Sequence, residues 1–594
     1  MSRDPIDYGT LEAGRDCNYW SLDRTLRAAA RRAYPDGEFS WADDRLDSLG
    51  AETGTRIVDN SETVERHPPE LDTYDRDGEV QNHVEYHPAL LDTERATYCE
   101  YGLAHDVFHA PENREEPLGL THAITMEALL SYADPGFVCP ASMTVGAALV
   151  LDQFGRDGGV LESYFERLTS DDPEVYVEGA MFLTEKQGGS DVGANETVAE
   201  PTDEDGVYRL TGEKWFCSNV DAEGTLVLAR REGAPEGTKG LSLFLVPHSI
   251  DGELNDQLYR RLKDKLGTLS VPTGEVELRG ATGYLVGDPE NGFRQMTEML
   301  NFERLSNASA SVGIMGRCLL ESKVHAANRE AFGDTIDQYP LVRRDLTDTS
   351  VRYEGACAFV FAASRLLDEY RRSEERHDSD AFRLMRLLVP IAKLRTARDV
   401  VDTASYACEV LGGNGYVSGF TTERMLRDAQ VLPIWEGTSN VLSLDVLRVL
   451  DREAAHEVFV PAVRERLDSV DHPALADAVE TVEAEFADLQ DAMATLASED
   501  VEYAQLQAKE LANYVYDVFT AAELLAMADE DIAERGDARR ALVAREFVAE
   551  QFGRGDARGI TSGDRRATEA FDAIVRHASV PPESLVGGTA AADD

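Results

Sequence analysis

Apolar and polar residues alternate in three regimes along this 594-residue chain. Up to residue 178 the apolar positions recur at helical spacing, as with Leu22, Leu26 and Ala29, and the pattern predicts helices over 89–107, 117–133 and 141–168. Between them, 34–37 reads as a turn, and 60–88 is rich in Pro, Asp and Glu with little periodicity. From 179 to 286 the period shortens to two. This predicts strands over 207–210, 214–217, 225–229, 241–246 and 275–278, with 210–219 as a β-hairpin. Long helical patterns return over 292–328, 340–372, 379–411 and 439–450, and an apolar stripe such as Leu384, Leu387, Leu388 and Ile391 suits a four-helix bundle. Pro390 predicts a kink or break, and Gly412 with Gly413 a left-handed helix stop. Residues 451–552 predict an appended helical segment, with a polar tail after Pro581. The fold class is therefore mostly α with a central β domain. The predicted domains are 1–178 (helical), 179–286 (β), 287–450 (helical bundle) and 451–594 (appended helices and tail).

Charge changes this picture. Acids outnumber bases by 111 to 58, the net charge is −53, and the bases are 50 arginines but only 8 lysines. Because the acids are spread along the whole chain, the expectation is a protein of a high-salt cytoplasm, where screening removes most self-repulsion, over a surface built to repel one ligand. The block after residue 450 carries 32 acids against 13 bases, yet from Arg535 to Arg576 nine arginines face seven acids. Seven cysteines, odd in number and without metal-ligand spacing, fit a reducing compartment. The N-terminus has no apolar signal region, and no 18-residue apolar run is evident, so a cytoplasmic, non-spanning protein is expected. His83/His87 and His105/His109 stand at i,i+4 but lack a third ligand, so no metal is expected.

Four stretches carry candidate chemistry. In Ile434-Trp435-Glu436-Gly437-Thr438-Ser439-Asn440 a carboxylate lies between an aromatic ring and a glycine after an apolar run, a setting in which desolvation sharpens a proton acceptor. Gly437 would let a flat ligand approach; the plainer reading is a helix cap at Ser439 or Asn440 with Glu436 solvated. Thr184-Glu185-Lys186-Gln187-Gly188-Gly189-Ser190-Asp191 reads as a strand opening into a loop whose amides can turn to a phosphate. Lys214-Trp215-Phe216-Cys217-Ser218-Asn219 ends in hydroxyl and amide groups, and Leu411-Gly412-Gly413-Asn414-Gly415 closes a long helix.

In this order, and with Met425-Leu426-Arg427-Asp428-Ala429, these stretches resemble the acyl-CoA dehydrogenases. Trp435, 261–267, 444–450, 67–71 and 139–144 resemble the AidB branch of that family, and the resemblance weakens after about residue 451. It implies an acyl-CoA dehydrogenase-like fold and non-covalent FAD at the junction of the β domain and the bundle. By this resemblance Thr184 meets the flavin edge, Gly188, Gly189 and Ser190 the pyrophosphate, Phe216 stacks on the ring, Ser218 lies near N5, and Cys217 between them also belongs to the cofactor-binding set. Trp435, Thr438 and Asn440 complete the pocket. Arg329, Phe332, Gly412 and Gly413 match positions that serve the adenosine of a neighbouring subunit, so a homotetramer is implied. Glu409 departs from the family's usual glutamine. Glu436 would be the base for an acyl thioester's α-proton and flavin N5 the hydride acceptor, with electron-transfer flavoprotein as a partner. Arg304 matches an arginine near the base, although Glu303 and Arg304 also read as a surface pair.

Two functions follow. One is an FAD-dependent oxidoreductase acting on a small or unusual acyl thioester. The other is a DNA-associated flavoprotein protecting against alkylation damage, with Arg448, Arg535, Arg539, Arg540, Arg565 and Arg566 at the DNA; Arg448 would alternatively restrain Glu436. A net charge of −53 weighs against phosphate binding.

Overall fold

The computed structural model describes residues 4–35, 37–156, 158–553 and 560–585. The chain divides into two compact units, 36–310 and a second made of 1–35 with 311–594. The first of these therefore begins after the opening helix of the predicted N-terminal domain. The second takes in both the bundle and the appended helices.

In unit 36–310 the centre is a seven-stranded sheet: β1 (Gly179–Phe182), β2 (Val198–Pro201), β3 (Val207–Ser218), β4 (Gly224–Arg231), β5 (Leu241–Pro247), β6 (Gln257–Leu262) and β7 (Thr273–Leu285). Pairing runs β6-β7-β3-β2-β4-β1, and β5 joins β7 to β4, which closes a ring of strands and removes most free edges. The predicted hairpin over 210–219 is instead part of one 12-residue strand, β3, paired antiparallel to β7 through two register shifts. Gly212 does not turn the chain there, because it faces Thr197 of the loop before β2, where a Cβ would stand 2.4 Å from the Thr197 hydroxyl. The apolar faces of the strands pack with Met143, Ala147 and Leu151 of α2 (Pro135–Phe154), which follows α1 (Leu120–Leu130). The acidic stretch 60–88 hides a hairpin, Glu70–Tyr74 with Val80–Glu85, whose alternation is masked because only Asn82 and Val84 are buried.

Helix α2 is long and apolar enough to cross a membrane, contrary to the expectation that no such run exists. Its apolarity has another cause here, since 78% of that window is buried inside the fold.

Buried acids in this unit shape its pH response. Burial pushes Glu127 of α1 up to about 8, with only the Ser306 hydroxyl opposing it. Burial likewise lifts Glu94 to about 7 and Asp221 to about 6. A carboxyl whose folded pKa lies above its unfolded value keeps its proton longer in the fold, so stability falls as pH rises from the unfolded to the folded pKa. His122, lowered to about 4 by burial, contributes the opposite slope only up to its unfolded value near 6.5. In the second unit, burial lowers Lys323 to about 8, and its slope begins only above that. Between pH 6.5 and 8 the Glu127 proton therefore costs about 2 kcal/mol, at about 1.4 kcal/mol per pH unit. Thermal unfolding at fixed salt should show Tm declining over this window, and Glu127→Gln should flatten the decline. An unchanged slope in the variant would remove Glu127 from this account.

In the second unit the predicted helices are found with small shifts: α3 (Gly292–Asn328, whose residues from 311 belong here), α4 (Pro340–Arg372), α5 (Asp380–Leu411) and α6 (Ser439–Arg452). The appended segment forms α7 (His456–Asp468), α8 (Ala476–Ser498), α9 (Val501–Arg535) and α10 (Arg539–Phe552). Pro390 does not break α5, which runs on through it with the residue buried. Gly412, at φ +62°, ends α5 where predicted, but its ψ of −135° is not that of a left-handed helical stop, and Gly413 is not at positive φ. The chain's beginning is tied to its end: the Ile6 amide donates to the Arg576 carbonyl at 2.7 Å, and the Tyr8 hydroxyl to that of Val575 at 3.4 Å.

Candidate active site and cofactor cradle

In unit 36–310, β1 delivers the chain to Thr184, and the Trp215 amide of β3 donates to the Thr184 carbonyl at 2.9 Å. The loop after Thr184 is fixed by an ion pair. Lys214 Nζ, fully buried, lies 2.9 Å from Glu185 Oε1 and also donates to the Leu228 carbonyl at 2.9 Å. Glu185 further accepts from the Thr197 hydroxyl (2.5 Å) and from the amides of Glu196 (2.6 Å) and Thr197 (3.1 Å). Burial raises the Glu185 carboxyl, but Lys214 and these donors hold it below the usual range, so it stays an anion. Glu185 and Lys214 stand inside the motifs quoted above yet carry no assigned role in the sequence reading; each has a charged neighbour, Lys186 and Glu213, so nothing local marks them as buried partners.

This anchoring leaves Gly188 at φ +123° and Gly189 against Thr184, where a Cβ would stand 2.5 Å from the threonine hydroxyl. Only a chain without a side chain passes there. Ser190 is exposed beside it. On β3, Phe216 and Ser218 share one face. Phe216 is 58% exposed, so it is not a core residue, while the Ser218 hydroxyl lies 3.1 Å from that of Thr273. Cys217 turns the other way, into the sheet core, where burial raises its thiol. The expectation that Cys217 meets the cofactor is thus corrected, since strand alternation leaves only its backbone on that face. Lys263 Nζ sits 3.4 Å over the centre of the Trp215 ring while bonding Glu275 at 2.6 Å, which holds the neighbouring indole in place. Arg304 is half-buried and Glu303 buried, accepting from Ser142 at 2.8 Å, so neither is the solvated surface charge considered above.

In the second unit, Glu436 is half-buried at φ +55°, followed by Gly437 at φ +100°. A side chain at 437 would meet Leu442 at 3.1 Å, so this glycine serves the left-handed backbone and not the approach of a flat ligand. The turn is held from beneath by Lys393 of α5, fully buried, whose Nζ donates to the Gly437 carbonyl at 2.6 Å. The sequence reading gave Lys393 no role, although a lysine between Ala392 and Leu394 on an apolar helix is itself a signal. Helix α6 starts at Ser439, and Thr438 is its N-cap in backbone only, its side chain making no cap bond. Neither Ser439 nor Asn440 is the cap, and the Thr438 and Asn440 side chains remain exposed. The Trp435 indole N–H is buried with no hydrogen-bond partner within the protein, a donor that the fold leaves for another molecule.

Phe332, at φ +56°, is fully exposed at the tip of the Glu330–Ala331/Asp334–Thr335 hairpin, with Arg329 exposed at its base. Gly412, Gly413 and Glu409 are exposed too. The DNA candidates fare differently. Arg539 and Arg540 are enclosed around the buried Glu354, at 2.7 and 3.1 Å, and cannot reach a polyanion, so that expectation is overturned for both. Arg448 bonds Asp445 and does not restrain Glu436, Arg535 bonds Asp531 at 2.7 Å, and Arg566 bonds Asp564 at 2.6 Å. Arg565 is exposed without an ion pair among the described residues. Arg554 and Arg558 lie outside the described residues.

Family models match in three blocks: the adaptive response protein AidB N-terminal domain over 11–173, the acyl-CoA dehydrogenase middle domain over 180–281 and the acyl-CoA dehydrogenase C-terminal domain over 290–450. Among curated proteins, acyl-CoA dehydrogenase family member 11 of Caenorhabditis elegans is 36% identical over 72% of this chain and 69% of its own length. The putative acyl-CoA dehydrogenase AidB of Escherichia coli is 35% identical over 70% of this chain and 75% of its own. A crystal structure of Caenorhabditis elegans ACDH-11 in complex with C11-CoA superposes with a TM-score of 0.84 at 29% identity, covering 93% of each chain. The chain belongs to the acyl-CoA dehydrogenase family and, within it, to the AidB branch.

Proposed function

We propose that this protein, an oxidoreductase by its family, is an FAD-dependent dehydrogenase of an acyl-CoA thioester, with Glu436 as its base. The observation that carries the reading is the Glu436 turn. A carboxylate is held half-buried at positive φ by a buried lysine, an arrangement a mere helix cap does not need. The fit of FAD rests on the Thr184–Gly189 cradle, which a Cβ would fill, and on the exposed ring of Phe216 beside the Ser218 hydroxyl. Thr184, Gly188, Gly189 and Ser190 would hold it, with Phe216 as a stacking face. When bound, FAD supplies the acceptor for the hydride leaving the β-carbon. The protein's own part is proton removal and placement. Glu436 takes the α-proton, and Lys393, by fixing the Gly437 carbonyl, sets the turn from which the carboxylate projects. The C11-CoA bound to the Caenorhabditis elegans relative supports a CoA thioester as substrate.

Assembly into a homotetramer is supported by Phe332 and Tyr416, 100% and 94% exposed, since monomers seldom leave large aromatic rings fully in water. The acid excess supports a high-salt cytoplasm as the setting. Duplex DNA has little support from this chain, whose candidate arginines are mostly paired or buried.

The reading is tested by anaerobic titration of the flavin-loaded protein in multimolar KCl with short, branched and aromatic acyl-CoAs. Loss of flavin absorbance with at least one thioester is expected. No loss with any, while dithionite still bleaches the flavin, would refute the dehydrogenase reading.

A further inference from the structure

The two ends of the chain meet over a group of enclosed cations in the second unit. Lys323 of α3 is 7% exposed, and its Nζ lies 5.5 Å from the centre of the Tyr8 ring. Among the described residues it makes neither a hydrogen bond nor an ion pair. The acids that act on it, Asp23 and Glu354, are engaged elsewhere. Glu354 accepts from Arg539 at 2.7 and 3.0 Å, from Arg540 at 3.1 Å and from the Thr25 hydroxyl at 3.3 Å. Asp23 accepts from the Leu26 amide at 2.8 Å and from the Tyr353 hydroxyl.

His577 approaches from the C-terminal side. It is buried at φ +57°, a backbone region that bulky side chains avoid, and its imidazole has no hydrogen-bond partner among the described residues. Burial pushes its pKa well below the ordinary value, and Arg539, Lys323, Arg24 and Arg540 push the same way. The ring is therefore neutral and donates through one N–H. Arg24 completes the set. Its guanidinium donates to the carbonyls of Asp4 at 2.9 Å and His577 at 3.4 Å, and it pairs with no acid among the described residues. A charge drawn out of water without a counter-charge is costly, yet in a chain of net charge −53 two cations stand together here without one.

We propose that one chloride ion binds between Lys323 Nζ, the His577 imidazole N–H and the Arg24 guanidinium, tying the beginning of the chain to its end. A water molecule accepts the same hydrogen bonds but leaves the charge uncompensated. A phosphate brings a second negative charge and further oxygens against Asp23 and Glu354. The acidity of the whole chain does not bar an anion, because at high salt its field is screened within a few ångströms. The site is independent of the thioester chemistry.

The test is thermal unfolding of the full-length flavoprotein at fixed total potassium, with chloride replacing gluconate stepwise. Tm should rise by about 1 °C for each tenfold increase in chloride, as a ligand held only by the folded state requires. Lys323→Met feels the same general salt effects and should lack this rise. Arg24→Gln, at a half-buried position that tolerates change should the first variant not fold, should need roughly tenfold more chloride for the same response. In crystals grown with bromide, an anomalous peak should lie within hydrogen-bond reach of Lys323 Nζ. A parent Tm indifferent to the exchange, a chloride response unchanged in both variants, or bromide found only elsewhere would each overturn the proposal.

Discussion

Glu436→Gln should lower the rate of thioester oxidation roughly 10³–10⁴-fold while leaving FAD bound, because the amide keeps the side chain's shape and loses only the basic lone pair. Three features make this the sharpest substitution in the chain. Glu436 stands at φ +55°, in a region that non-glycine residues avoid, so the fold tolerates strain to place this side chain. The next carbonyl is pinned by a buried lysine at 2.6 Å, so the backbone does not relax into a commoner conformation. The carboxylate is only half-buried, open to a ligand. Glu436→Gly gives a second handle. Glycine accepts the left-handed backbone without strain, so this variant should be as stable as the parent or more so, and equally inactive. Rapid mixing of each variant with the best acyl-CoA from the titration reads the reductive step directly. Parental rates in Glu436→Gln would show that another group takes the α-proton, and the base assignment would fall.

Much of this was legible in the chain, for reasons that differ by element. Helices α3, α4 and α5 are long enough for their periodicity to stand out over any local exception, and Gly412 marks the end of α5 by conformation alone. Strand β3 was misread because Gly212 looks like a turn residue, whereas its real constraint is the close approach of Thr197, a contact across 15 residues that no window reveals. The β-hairpin at 70–85 was missed because its outward face is acidic and only two of its inward residues are buried. In the candidate site the groups with chemistry of their own, Glu436, Thr184 and the glycines, were readable from the motifs. The groups that hold them were not: Glu185, Lys214 and Lys393 act through burial, and burial is a property of the fold. The lysine count held a clue. In a chain with 50 arginines and 8 lysines, those kept at 214, 323 and 393 are buried, where a compact ammonium fits. The arginines failed as a guide to DNA for the same reason, since Arg539 and Arg540 were counted as surface charge and are interior partners of Glu354.

Lys214→Met should destabilise the protein by about 3–5 kcal/mol and empty it of flavin, the largest stability effect expected of any single substitution near the cradle. Removing the ammonium leaves Glu185 enclosed, with two amides and one hydroxyl to carry a full negative charge. The carboxyl then either takes up a proton or draws in water, and in both cases the donors at Glu196 and Thr197 lose their charged acceptor. Those residues close the loop that begins at Thr184, so the passage at Gly189, where 2.5 Å separates a would-be Cβ from the threonine hydroxyl, loses its fixed geometry. The double variant Lys214→Met/Glu185→Gln separates charge from shape. It removes the uncompensated carboxylate, retains an acceptor for the Thr197 hydroxyl, and should recover most of the stability, because a buried pair is worth less than the penalty for breaking it. Flavin retention should recover less than stability does, since a neutral amide holds the two loop amides more weakly than a carboxylate. Denaturant midpoints in high salt and the flavin-to-protein absorbance ratio read the two effects separately. A single variant with parental stability and flavin content would mean that the pair is a bystander and that the loop is held by β1 and β3 alone.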